Sequence, residues 1–186
     1  MALPSLFPTG PERVGLIVRY KAARNTPCSD SFGHVDAIMP SGEPMGFYSK
    51  TFDLTAIISA DGVVKDYALT AASRPQYVSI ADARAKKCTS VALSIAVTRK
   101  QADTVAAEWT RYKTSAMTYR AAGGNCATYI AEAWETAGII KGGIPGLDTP
   151  DNLFEFIDGL FLKADFAVGY FGFRPLGPLF VMEYEI

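Results

Sequence analysis

The residues with the clearest chemical reason for their position are Cys126 and His34. Cys126 lies in the run GGNCATYIAEAWETAG, and the preceding Asn125 is a good helix N-cap, because its side-chain oxygen can accept from a backbone N–H one turn in. Cys126 is then the first helical residue. Unpaired N–H groups and the positive end of the helix dipole favour thiolate over thiol there. A thiolate is the nucleophilic form of cysteine, and the same N–H groups suit the oxyanion of a tetrahedral intermediate. Gly123 and Gly124 allow an acyl group to approach closely. The competing reading is a cysteine that serves as a small buried apolar residue.

A cysteine nucleophile needs a base, and His34 is the chain's only histidine. It follows a turn-rich loop and opens a strand, HVDAIM, whose partner after the turn PSGEP is MGFYSK. A third group should orient the imidazole. If the hairpin turns tightly at Ser41-Gly42, Ser49 stands opposite His34, whereas a looser turn brings Thr51 there. Asp36, two residues on, shares the strand face with His34. Ser49 is the first choice and Asp36 the second, and a backbone carbonyl would serve equally well.

Cys28 and Cys88 lack such a setting. Cys28 lies in a polar loop after Pro27. Cys88 follows Lys86 and Lys87, with no backbone donors implied. Three cysteines without CxxC spacing predict neither a disulfide framework nor a zinc site, so no metal or cofactor is expected.

These side chains need a scaffold. VGLIVRY, from Val14 to Tyr20, reads as a buried strand, and Ser90 to Val97 alternates as another. A short hairpin is expected around Ala60-Asp61-Gly62. Thr98 followed by Gln101 forms a capping box, and Ala102, Val105, Ala106, Trp109 and Tyr112 make a stripe, predicting a helix from Thr98 to about Lys113. The helix opened by Asn125 buries Tyr129, Ile130, Ala133, Trp134 and Ala137 and stops at Gly138. A third helix starts at Thr149-Pro150, with Leu153, Phe154 and Ile157 inward. The tail, rich in Phe and Tyr, returns as strands. The expected class is α+β, an antiparallel sheet packed against helices, in a single domain over 1–186.

Composition narrows the partners. With 49% hydrophobic and 20% charged residues the chain can bury a core, and a formal net charge of −1 gives no basic footprint for nucleic acid. No window reaches a membrane span, so no stable membrane insertion is expected. MALPSLFPTGPERVG does not resemble a signal peptide, which predicts synthesis in the cytoplasm.

Three blocks carry a resemblance to a known family: FGHVDAIMPSGEPMGFYSK, SVALSIAVTRKQADTVAAEWTRYK and TYRAAGGNCATYIAEAWETAGI. They cover about half the chain, with histidine before cysteine. In this order the chain resembles the permuted branch of the NlpC-type, papain-like cysteine hydrolases, and within it the TseH-like effectors of type VI secretion. The resemblance implies a permuted papain-like fold with Cys126 as nucleophile and His34 as base. It further implies cleavage of a peptidoglycan stem peptide in the periplasm of a target bacterium, with an immunity protein and a secretion-apparatus component as partners. Lipid acyltransferases and acyl hydrolases share the fold, so an acyl chain entering a channel lined by Phe166, Tyr170, Phe171, Phe173 and Phe180 is an alternative, as is an inactive binding module.

Overall fold

The computed structural model describes residues 12–19, 34–51, 58–65, 80–85, 90–144, 148–161, 165–176 and 179–185, the last two spans by their backbone alone. The expected loop of residues 21–33, with Cys28, and the segment containing Cys88 lie outside them, as do the aromatic side chains of the tail. In chain order the elements are β1 (Arg13–Arg19), β2 (Val35–Ile38), β3 (Pro44–Ser49), β4 (Ala60–Lys65), α1 (Ile80–Ala85), β5 (Ser90–Ala96), α2 (Arg99–Thr114), β6 (Thr118–Tyr119), α3 (Cys126–Thr136), α4 (Pro150–Leu160), β7 (Asp165–Leu176) and β8 (Leu179–Glu185). The strands form one antiparallel sheet in the order β6-β4-β3-β2-β1-β5-β7-β8, and the class is α+β.

The sheet's centre follows from alternation. Val14, Leu16 and Val18 of β1, Val35 and Ala37 of β2, and Leu93 and Ile95 of β5 point to one face and join the core cluster. Ala102, Val105, Trp109 and Tyr112 of α2 and Ile130, Ala133 and Trp134 of α3 complete that cluster, as their 3.6-residue spacing predicts. Leu153 and Ile157 of α4 join it as well. Alternate positions on the other face, Ile17, Asp36, Ala92 and Ser94, are buried too, so the central strands are enclosed on both sides.

Local signals set the helix ends. Thr98 and Gln101 form the capping box at α2. Thr149 caps α4, with Pro150 in its first turn. Gly138 takes φ +68° just beyond α3, where its N–H donates to the Glu135 carbonyl. One expectation changes. Ala60-Asp61-Gly62 is the start of strand β4 rather than a hairpin turn: Gly62 pairs with Ser49 of β3, while Ala60 and Asp61 pair with the unforeseen β6. At Gly62 a Cβ would fall 2.0 Å from Cζ of Phe47, so the ring of Phe47 occupies the space that a side chain there would need. Helix α1 was likewise not anticipated from the sequence.

The hairpin β2–β3 governs the site. Gly42 N–H donates to the Met39 carbonyl and Met39 N–H to the Glu43 carbonyl, each at 2.8 Å, which closes a three-residue loop, Pro40-Ser41-Gly42, with Gly42 at φ +85°. Ala37 pairs with Met45 and Ile38 with Pro44. Continued along the strands, this register sets Tyr48 opposite His34. The tight turn at Ser41-Gly42 would have set Ser49 there, and the looser one Thr51. One residue more in the loop than the tight turn has moves the partner by one position and reverses the face it presents.

Candidate active site

Cys126 opens α3 as the first residue after its cap. The Asn125 side-chain oxygen accepts from the N–H of Ala127 at 2.9 Å and of Thr128 at 3.2 Å, while Asn125 N–H donates to Thr128 Oγ1 at 3.2 Å. The amide nitrogen of Asn125 donates in turn to the carbonyls of Ala121, at 2.8 Å, and Asp148, at 2.6 Å. Thr128 Oγ1 also donates to the Asp148 carboxylate at 2.9 Å. The cap therefore ties three chain segments together and fixes where the thiol starts. It also consumes two donors of the first turn. Among the described residues the N–H of Cys126 itself has no acceptor, which makes it the donor left for an oxyanion.

His34, immediately before β2, meets this helix start. Its side chain is 15% exposed, whereas Cys126 is 4% exposed. The Cys126 thiol hydrogen-bonds the imidazole and accepts from the N–H of Val35. Nε2 of His34 lies 2.9 Å from Oδ1 of Asp36, which leaves Nδ1 as the ring nitrogen for the thiol. Burial pulls the imidazole toward neutrality, but the charges of Cys126 and Asp36 and the hydrogen bonds to both outweigh it and raise the His34 pKa to about 9. Burial pushes the Cys126 thiol up, and the imidazolium charge, the bond to His34 and the Val35 N–H overcome that and bring it below its ordinary value. Each group's charged form favours the other's, so thiol and imidazole titrate as a coupled pair.

Asp36 is 1% exposed and accepts from both His34 Nε2 and the hydroxyl of Tyr48, the latter at 3.0 Å on the same oxygen. Ser49 is not part of this cluster. It pairs with Gly62 of β4, and its hydroxyl donates to the Thr51 carbonyl. Of the residues considered for orienting the ring, the structure brings Asp36 to it and turns Ser49 away. No local sequence signal gives Tyr48 this place. The i, i+2 spacing of His34 and Asp36 was legible, but Tyr48 depends on the hairpin register.

Two features lie near the start of α3. Tyr119 of β6 feels the Cys126 charge: burial, together with that charge, pushes its phenol up to about 12. A cleft of about 310 Å³ lies beside the loop leading into α3, lined among others by Met117, Arg120, Gly123, Gly124 and Tyr129. Gly123 takes φ +72° in that loop, a conformation a side chain would resist. No group of three or more His, Cys, Asp or Glu among the described residues has the arrangement of a metal site. No described helix is long and apolar enough to cross a membrane.

Fold and site together define an α+β protein with a helix-capped cysteine facing a carboxylate-bound histidine. No family model, curated protein or solved structure matches the chain.

Proposed function

We propose that the protein is a cysteine hydrolase of the permuted papain-like kind, cleaving amide bonds in peptidoglycan stem peptides as an antibacterial effector of type VI secretion. The single observation that carries the catalytic part is the Cys126–His34–Asp36 chain of contacts at a capped helix start. The substrate and the delivery route rest on the resemblance of the three sequence blocks.

In this reading Cys126 Sγ attacks the scissile carbonyl carbon, and the oxyanion forms against the Cys126 N–H. The C–N bond breaks as the imidazolium gives its proton to the departing amine, leaving a thioester. Neutral His34 then takes a proton from water, whose oxygen attacks the thioester. The C–S bond breaks, the acid product leaves, and the thiolate–imidazolium pair is restored. Asp36 holds the ring orientation throughout.

Purified sacculi incubated with wild type and with Cys126→Ala, followed by separation of the muropeptides, test the substrate. New products that depend on the thiol are expected. If wild type releases none, the peptidoglycan assignment fails, and turnover of phospholipid under the same conditions would redirect it to an acyl-chain substrate.

A further inference from the structure

Tyr48 contacts both the base, His34, and the carboxylate that holds it, Asp36. Its ring stacks on that of His34, with centroids 4.3 Å apart and planes 17° from parallel. Its hydroxyl donates to the Asp36 oxygen that also receives His34 Nε2. On β4, the neighbour of β3, Lys65 Nζ lies 5.0 Å from the centroid of the Tyr48 ring. We infer that Tyr48 is a positioning residue, its ring fixing the plane of the imidazole while its hydroxyl fixes the carboxylate that holds Nε2. The inference rests on the reading of Cys126 and His34 as a reacting pair, but not on any particular substrate.

The physical need is plain. A hydrogen bond at Nε2 alone lets the ring swivel and carry Nδ1 away from the sulfur. A stacked aromatic face removes that freedom, and its negative π surface also favours the charged imidazolium. The hydroxyl orients a carboxylate that could otherwise rotate. Cys126 from α3 and Asp36 from β2 act on the imidazole's charge, Tyr48 from β3 faces the ring with Lys65 beyond it on β4, and Tyr119 from β6 feels the Cys126 charge. Tyr48 touches both His34 and Asp36 by side chain from a neighbouring strand. It is half-buried, so its replacement leaves the fold's core cluster intact.

The test is the pH profile of alkylation at Cys126 by iodoacetamide, mapped to the peptide, in wild type, Tyr48→Phe and Tyr48→Leu. Cooperative unfolding of each variant serves as the check on folding. Wild type should label with a midpoint below the ordinary thiol value of about 8.5. Tyr48→Leu should move that midpoint up by about one pH unit, a roughly tenfold loss of rate on the acid limb. Tyr48→Phe, which keeps the stack and loses the hydroxyl, should recover part of the loss. Profiles of both variants that coincide with wild type would overturn the inference while leaving the pair intact. A wild-type midpoint at the ordinary thiol value would overturn the pair and the inference with it. The expected shifts in a protein that leaves sacculi uncut would support the inference and refute only the substrate.

Discussion

Replacing Asp36 with Asn isolates the charge behind the imidazole. The amide is nearly isosteric, and its oxygen can still accept from the Tyr48 hydroxyl, so the 1%-exposed site loses a charge and little volume. His34 loses both the electrostatic support of the carboxylate and a charge-assisted hydrogen bond at 2.9 Å. A hydrogen bond to a charged group contributes about 1.5–3 kcal/mol, and one pKa unit corresponds to about 1.4 kcal/mol. The His34 midpoint should therefore fall by about 1–2 units from its wild-type value of about 9. Because the chain contains one histidine, the imidazole resonances in an NMR titration report this site alone. Titrating His34 is a cleaner readout than thiol labelling, since the Asp36 charge itself opposes the Cys126 thiolate. A variant midpoint within about half a unit of wild type, or a wild-type midpoint near the ordinary 6.5, would refute the reasoning.

The same shifts fix a sign for stability. Below pH 6.5 His34 is protonated folded and unfolded, and its contribution to stability is fully present; it is lost as pH rises toward about 9. Cys126, with its lowered pKa, contributes nothing at low pH and gains as pH rises from its folded midpoint to the ordinary thiol value. Where the Cys126 gain and the His34 loss overlap, below the ordinary thiol value, the two slopes oppose each other.

Other expectations follow from single contacts. Urea denaturation should show that Asn125→Ala costs about 1–2 kcal/mol, since it removes the acceptor for Ala127 and Thr128 and the donor to Ala121 and Asp148; a loss below about 0.5 kcal/mol would deny the cap its role. Ser49→Ala should change the Cys126 labelling rate by less than about twofold, because its hydroxyl serves Thr51 rather than the ring; a tenfold drop would return Ser49 to the site. Gly62→Ala should destabilise by about 1–3 kcal/mol through its collision with Phe47, whose ring packs on Tyr119 and Tyr129. An unchanged Tm would mean that the ring moves freely. Trp134→Ala, at a fully buried position, should cost about 3–5 kcal/mol, and a small loss would contradict its place in the core.

Much of the scaffold was readable because the forces that form it act within one turn. Thr98, Asn125 and Thr149 cap the helices that follow them because each side chain reaches backbone N–H groups only two or three residues away. Strands β1 and β5 were visible in their own apolar content, and His34 and Asp36 share a face by the two-residue period of any strand. Helix α1 and strand β6 were not visible: one is six residues long, the other two, too short for periodicity to register.

Which group orients the imidazole depended on pairing between strands. The sequence offered Ser49, Thr51 and Asp36, because a turn of unspecified length leaves the register open. The three-residue loop closed by Gly42 chose Tyr48 as the residue across from His34. Packing of α3 against β2 then brought Cys126, 92 positions away by the numbering, to the imidazole that the sequence could only nominate. The sequence alone determined a thiol at a helix start and a histidine at a strand start, since caps and periodicity are local. Their meeting, and the Asp36–Tyr48 support behind them, were decided by strand register and helix packing, which no short stretch of chain encodes.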